Sequence, residues 1–341
     1  NQREDESWNA IWDSVGQITE TGYSIELAIP LKQLRFPESD SSQTWGIDLY
    51  RHYPRDRSTE IHLQEISRDI SCYLCQISKL EGLNDLEQSR NLEIIPTLTA
   101  SSIENRDPSV NRDWKREDFD PEGSLDLRWG ITQDIYLNAT INPDFSQVEA
   151  DSTQLDVNNT FSLFFPERRT FFLDGADYFD TYENLVHTRN IASPEYGLKV
   201  TGKTGDHTYG LIAANDETTN FIIPKSLSSR IASIGDMKSK VAIGRYRMDI
   251  FENSTIGALI TDRRGDDYNN TVISLDASLR PTDSDTISIQ SMYSSSDYPL
   301  LIQNQFAQNS SINDSSHVLE YRHNDRNWDW RLGYYDWGAD F

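Results

Sequence analysis

In the stretch TVISLDASLR, residues 271–280, Ile273, Leu275, Ala277 and Leu279 alternate with Ser274, Asp276, Ser278 and Arg280. A β-strand turns successive side chains to opposite faces, so this spacing puts one apolar and one polar face on an extended segment. The rhythm recurs from residue 92 onward. Leu92, Ile94, Leu98 and Ala100 alternate with Glu93, Thr97 and Thr99, although Pro96 weakens that segment as an interior strand. Leu125, Leu127 and Trp129 alternate with Ser124, Asp126 and Arg128; Ile135, Leu137, Ala139 and Ile141 alternate with Tyr136, Asn138 and Thr140. Tyr196, Leu198 and Val200 follow, then Tyr209, Leu211 and Ala213, then segments near 239–250, 254–262, 270–280, 284–293, 316–324 and 327–337. That makes about eleven strands of roughly nine residues, the length that crosses a bilayer when tilted.

Two architectures alternate in this way: a soluble antiparallel sandwich and a transmembrane barrel. Three features favour the barrel. Tight turns (WGITQD, KTGDH, RPTDSD, HNDRNW) alternate with longer loops at 101–121, 216–238 and 294–315, the asymmetry of an outer-membrane barrel. Aromatics gather near strand ends: Trp129, Tyr136, Tyr196, Tyr209, Tyr246, Tyr293, Tyr321, Trp328, Trp330, Tyr334, Tyr335 and Trp337. Interfacial girdles lie at that position. The polar faces carry charge (Asp126, Arg128, Lys199, Arg245, Arg247, Asp276, Glu320, Arg322), which suits a wet interior.

Composition narrows the classes. Across 341 residues, 55 Asp and Glu against 31 Lys and Arg leave a formal charge of -24. Nucleic acid demands a basic face, so this balance argues against it and no nucleic-acid partner is expected. The mean hydropathy of -0.64 and the lack of any run of ~18 apolar residues exclude helical membrane spans, not barrel strands. No nucleotide-loop, metalloprotease or hydrolase-elbow motif is present, and no cofactor or metal site is expected.

Residues 142–180 break the rhythm. Seven of the 13 phenylalanines fall here, interleaved with acids and an arginine pair. Asp151 and Gln154 have capping-box spacing, and Leu155, Val157, Phe161, Phe164 and Phe165 fall on one helical face, which predicts a short helix over 152–163 stopped by Pro166. Charge in hydrocarbon costs about 2–4 kcal/mol per residue, and phenylalanine left in water forfeits comparable burial. A segment folded into the barrel interior answers both demands. Glu167, Arg168 and Arg169 are then expected as a lumenal salt-bridge cluster. The rival reading is catalytic: Asp144, Glu149, Asp151, Glu167 and Asp174 offer carboxylate pairs of the kind glycoside hydrolysis uses, though so many acids give the pattern no specificity.

The N-terminal residues differ. YSIELAIPL (23–31) and WGIDLYR (45–51) read as strands, and 71–91 as a linker. Cys72 and Cys75 are the only cysteines. Zinc would need two further ligands, and a thioredoxin-like pair would need a strand–helix setting, so a structural disulfide in an oxidising compartment is the expectation. The chain opens at Asn1 without a leader and is expected to be part of a longer protein.

The runs INPDFSQVEADSTQLDVNNTFSLFFPERRTFFLDGADYF, HTRNI, GLKVTGKTGDHTYG and DWRLGYYDWGADF resemble the domain-of-unknown-function 5916 family. The resemblance spans about 90–341 and implies a large bacterial outer-membrane β-barrel. GYSIELAIPLKQLRF followed by WGIDLYRHYPR is similar to the closing strands of a family-nine carbohydrate-binding module, which implies a β-sandwich tail. The sugar-contacting part of such a module does not fall within this sequence.

The expected fold is all-β. Residues 1–70 are the tail of a sandwich, and residues 92–341 are an antiparallel transmembrane-type barrel that stops short of closure, with the plug-like insertion 142–180. The expected location is the outer membrane of a Gram-negative bacterium, with the N-terminal module periplasmic. The expected partners are outer-membrane lipid and, as a further candidate, carbohydrate. The expected work is handling or transporting glycans or other polar solutes. The alternative is a membrane-associated glycoside hydrolase-like enzyme using the carboxylates of 142–180, and a structural or adhesive surface protein is a third reading.

Overall fold

The computed structural model describes residues 8, 12–31, 34, 36, 42–84, 86, 92–102, 104–105, 115–116, 120–132, 134–143, 167–225, 228–234 and 237–341. Eleven strands form one sheet: β1 (Leu92–Ser101), β2 (Asp120–Gly130), β3 (Ile135–Ile141), β4 (Pro194–Thr204), β5 (His207–Asp216), β6 (Ser239–Ile250), β7 (Ser254–Gly265), β8 (Tyr268–Leu279), β9 (Asp285–Asp297), β10 (Ser311–Asn324) and β11 (Asp329–Trp337). Each is bonded antiparallel to its predecessor and successor, an up-and-down meander. Among the described residues β1 and β11 are not bonded to each other, so the sheet is open at two edges.

The turns β2–β3, β4–β5, β6–β7, β8–β9 and β10–β11 all lie at one end and take two to five residues each. The two-residue β4–β5 turn places Gly205 at φ 56°, where a hairpin needs a left-handed residue. The long connections lie at the other end, with the short β7–β8 turn among them. Two of them carry secondary structure where longer loops are expected. The 217–238 connection holds a hairpin, Thr219–Lys225 with Ser228–Ile234, because Phe221 and Ile223 bury fully against Tyr268, Tyr298, Ile302 and Ile312. The β9–β10 connection is shortened by longer strands and by the helix Leu300–Phe306. The predicted helix 152–163 lies outside the described residues.

Alternation sorts the sheet into two faces with inverted burial. On β8, Ile273 and Leu275 are exposed (46% and 62%) while Ser274 between them is fully buried. On β4, Leu198 is exposed and Lys199 is at 0%. Leu211, Ile256, Ile260, Ile289 and Leu319 are likewise exposed, while Thr140, Thr201, Arg245, Gln290, Ser316 and Glu320 are buried. The apolar face points out and the polar face in. Three of the expected girdle aromatics point inward instead. Tyr136 is buried at 2%, on the face of Asn138 and Thr140. Tyr335 and Trp337 pair in register with the inward Val318 and Ser316.

The N-terminal residues form three two-stranded ladders: Asp13–Thr19 with Gly22–Ala28, Gln43–Ile47 with Ser78–Leu83, and Tyr50–Pro54 with Ser58–His62. No two-sheet sandwich is present among the described residues. Pairing by Ser78–Leu83 carries this unit past residue 70. The expected strand 45–51 breaks at Asp48, whose carboxylate turns to bind His62 Nδ1 at 2.8 Å and the Tyr73 hydroxyl. Those two hydrogen bonds, Tyr73 first, lower the Asp48 pKa to about 2. Cys72 and Cys75 form a disulfide beside Tyr73. Ser71 N donates to Asp283 O at 2.9 Å, and Ser284 Oγ to Asp69 O at 3.1 Å, so this unit rests on the β8–β9 turn at the tight-turn end.

Candidate functional site: the inner face and its inserted segment

The described part of the insertion, from Glu167, packs on the inward face of the sheet. Glu167 opens it by accepting from its own neighbours: Arg169 Nε at 2.8 Å and Nη2 at 2.6 Å, the backbone N–H groups of Arg168 and Arg169, and Thr188 Oγ1 at 2.7 Å. Burial alone would raise the Glu167 carboxyl, but the hydrogen bonds and charge of Arg169 outweigh it and hold the pKa below 4.5. Arg169, 4% exposed, also donates to Ile191 O at 2.6 Å and Thr188 O at 2.8 Å, and lies over the Phe172 ring at 4.3 Å. It ties the start of the segment to its end.

A helical turn, Thr170–Leu173, follows, then a short 3-10 turn, Ala176–Phe179, entered at Gly175 with φ 67°. Phe171, Phe172 and Phe179 are buried with Ile191, Ile212, Ala214, Val241 and Ile243. The last four lie on the inward face of β5 and β6. The inner wall is therefore not uniformly polar, as expected from alternation, because apolar wall residues meet the phenyl rings. Glycines make room there: a Cβ on Gly197 would stand 2.8 Å from Phe171, and one on Gly210 would stand 2.8 Å from Phe179.

Polar wall residues hold the rest. Asp174 accepts from Asn138 Nδ2 at 2.9 Å and pairs with Arg128 at 3.5 Å. The buried Lys199 ammonium donates to the carbonyls of Phe171 and Asp174. Further on, the Tyr182 hydroxyl donates to Glu320 at 2.7 Å, and Glu183 N to Gln290 Oε1 at 2.7 Å. Burial, with Tyr335 and Glu320 beside it, raises the Tyr182 pKa and keeps the phenol protonated. The segment thus crosses from β3 and β4 to β9 and β10. It returns to Ala192 and Ser193, whose N–H groups donate to Asp216 at 3.1 and 2.7 Å. Asp216 is fully buried and paired with Arg263 at 2.8 Å. Burial holds His187, on the returning arm, below 6.5. Beside that arm a cavity of about 420 Å³ is lined by His187, Arg263, Tyr268, Tyr298 and Trp337 among others.

Of the five carboxylates considered for catalysis, Asp144, Glu149 and Asp151 lie outside the described residues. Glu167 and Asp174 fall on one segment, yet each is engaged by different cations, Arg169 and Arg128. Arg168 donates its backbone N–H to Glu167. Asp216, Arg263 and Gln290 were not expected. Asp216 ends β5 and Arg263 lies two residues before the end of β7, so both read as charges near a loop edge, a signal indistinguishable from a solvated turn.

The class this defines is an all-β antiparallel meander, apolar outside, with a chain segment packed on its polar inner face. Within it, residues 92–226 match the sequence profile of the family described as Domain of unknown function (DUF5916). No curated protein matches the chain. Among solved structures, the chain is similar to OmpTdeltaL8, a loop L8 deletion mutant of OmpT, an outer membrane protein of Vibrio cholerae. The identity is 10% and the TM-score 0.29, covering 73% of this chain and 95% of that one. In-vitro folded OmpT of the same organism is similar at 10% identity and TM-score 0.29, covering 74% and 89%. A likeness at that score carries no weight for fold or function.

Proposed function

We propose that residues 92–341 are barrel wall embedded in an outer membrane, with the inserted segment as an internal plug and the interior serving passage or capture of polar solutes. The observation that carries this is the course of the outward apolar belt across the ladder. From the exposed Leu198 on β4 the register runs through Ala213, Ala242, Asp262, Thr271 and Ser295 to Asn313 on β10. The apolar outward residues of β10 are instead Leu319 and Tyr321, the first of them six residues further along. Six residues of ~3.4 Å over six interstrand gaps of ~4.8 Å correspond to a tilt of roughly 35°. Outer-membrane strands tilt by about 35–45° to the membrane normal. A water-facing sheet has no reason to keep its exposed apolar residues in a band oblique to its own hydrogen bonds.

The turn asymmetry supports an orientation with the tight-turn end, and the N-terminal unit resting on it, toward the periplasm. The hydrolase reading finds less support: a general acid needs a raised pKa, whereas Glu167 is held below 4.5.

Spin labels on the full chain reconstituted in lipid test the reading. Labels at Ile273 and Leu275 should be broadened by oxygen dissolved in lipid, and labels at the inward Ser278 and Ser288 by a water-soluble nickel chelate. Equal access of the chelate to all four would overturn it.

A further inference from the structure

We propose that the tight-turn half of the inner face is a binding site for a small oxyanion, held by Arg247 and Arg280. The inference needs only the inner-face geometry and stands whether or not the outer face meets lipid. A cavity of about 330 Å³ lies there, bounded by Asp180–Tyr182 of the inserted segment, by β6 to β10, and by Ser71 of the N-terminal unit. Four arginines line it: Arg245, Arg247, Arg280 and Arg322.

Most of the charge on its wall cancels in pairs. Arg245 holds Asp276 through both terminal nitrogens, and Arg322 meets Asp329 at 3.3 Å. Glu320 is taken by Arg331 at 3.4 Å and by the hydroxyls of Tyr182 and Tyr335. Arg247 and Arg280 remain; among the described residues the wall carries one further carboxylate, Asp180, which has interactions of its own. Both carry a buried nitrogen, Arg247 Nε and Arg280 Nη1, with no hydrogen-bond partner among the described residues.

A guanidinium N–H taken out of water without an acceptor is costly. An oxyanion supplies acceptors in the planar arrangement the guanidinium fork matches, which a single water cannot. Ser278, Thr286 and Ser288 on the same wall add neutral donors for the remaining oxygens. The formal charge of -24 repels anions at long range, so a site of this kind acts by contact and not by steering.

The test is calorimetric titration of the full chain, folded in detergent, with inorganic phosphate, sulfate and acetate in turn. Saturable one-site binding of phosphate or sulfate is expected, weakened at least tenfold in R247Q and in R280Q. Acetate alone binding would shift the ligand class to carboxylates at the same arginines. No saturable heat with any of the three, or binding unchanged in both variants, would overturn the site. Should the variants not fold, phenylglyoxal labelling of the unmodified chain decides. Phosphate should protect Arg247 and Arg280 and leave the surface Arg264 unprotected, and equal labelling with and without phosphate would overturn the proposal.

Discussion

Arg245 reaches across the strand between them to grip Asp276, Nη1 to Oδ1 at 2.5 Å and Nη2 to Oδ2 at 2.8 Å. The strand crossed is β7, and the residue crossed is Gly257, where a Cβ would stand 2.5 Å from Nη1. The Arg245 side chain is 2% exposed and that of Asp276 is 11% exposed. Removing one partner of a buried pair strands the other charge, at about 3–5 kcal/mol. Asp276→Ala should cost that much in urea unfolding of the reconstituted chain. Gly257→Ala should destabilise in the same direction by lifting the guanidinium, and add nothing further once Asp276 is already Ala.

The seat of the inserted segment is open to a similar test. Gly210→Leu would drive a side chain into the Phe179 ring. Releasing that ring forfeits about 1.5–3 kcal/mol of burial. The segment 176–190 should then become cleavable by added protease while the strands stay resistant, and single-channel conductance of the reconstituted protein should rise. A resistant segment with unchanged conductance would mean that Phe179 does not anchor it.

Charge substitutions separate the oblique belt from the hydrogen-bonded row. Leu319→Arg should cost about 2–4 kcal/mol of stability in a bilayer, the expense of a cation at the lipid midplane. Asn313→Arg, on the same ladder row as the exposed Leu198, should cost well under 1 kcal/mol, as surface changes do. Equal costs in lipid would remove the tilt.

Acid should loosen the segment in two steps. His187 is held below 6.5, so the unfolded chain takes up its proton first, and stability falls as pH drops from 6.5 toward the lower folded value. Glu167 is held below 4.5; its contribution is complete above 4.5 and is lost as pH falls through the folded value. His187→Gln should abolish the first step and Glu167→Gln the second. Glu167→Gln should also cost about 1.5–3 kcal/mol at neutral pH, the worth of hydrogen bonds to a charged acceptor. Protease sensitivity of the segment against pH reads both.

What the sequence determined by itself is what a chain carries locally. Period-two alternation is a property of neighbours, and it located the eleven strands and, on β4 and β8, the face each residue takes. Antiparallel order followed from short connections. Alternation was silent where both faces are apolar: Leu211 and Ala213 next to Ile212 and Ala214 read the same from either side. Only the tertiary structure decided that Ile212 points inward, because its partners are Phe171 and Phe179, more than thirty residues earlier and outside any local window. The same holds for Arg245 with Asp276, for Asp216 with Arg263, and for the inward turn of Tyr335 toward Glu320. The charges fall on a polar face by alternation and Tyr335 falls among the expected girdle aromatics, in each case without a named partner. Partners are set by register across strands and by the path of the inserted segment, and those exist only once the sheet has formed.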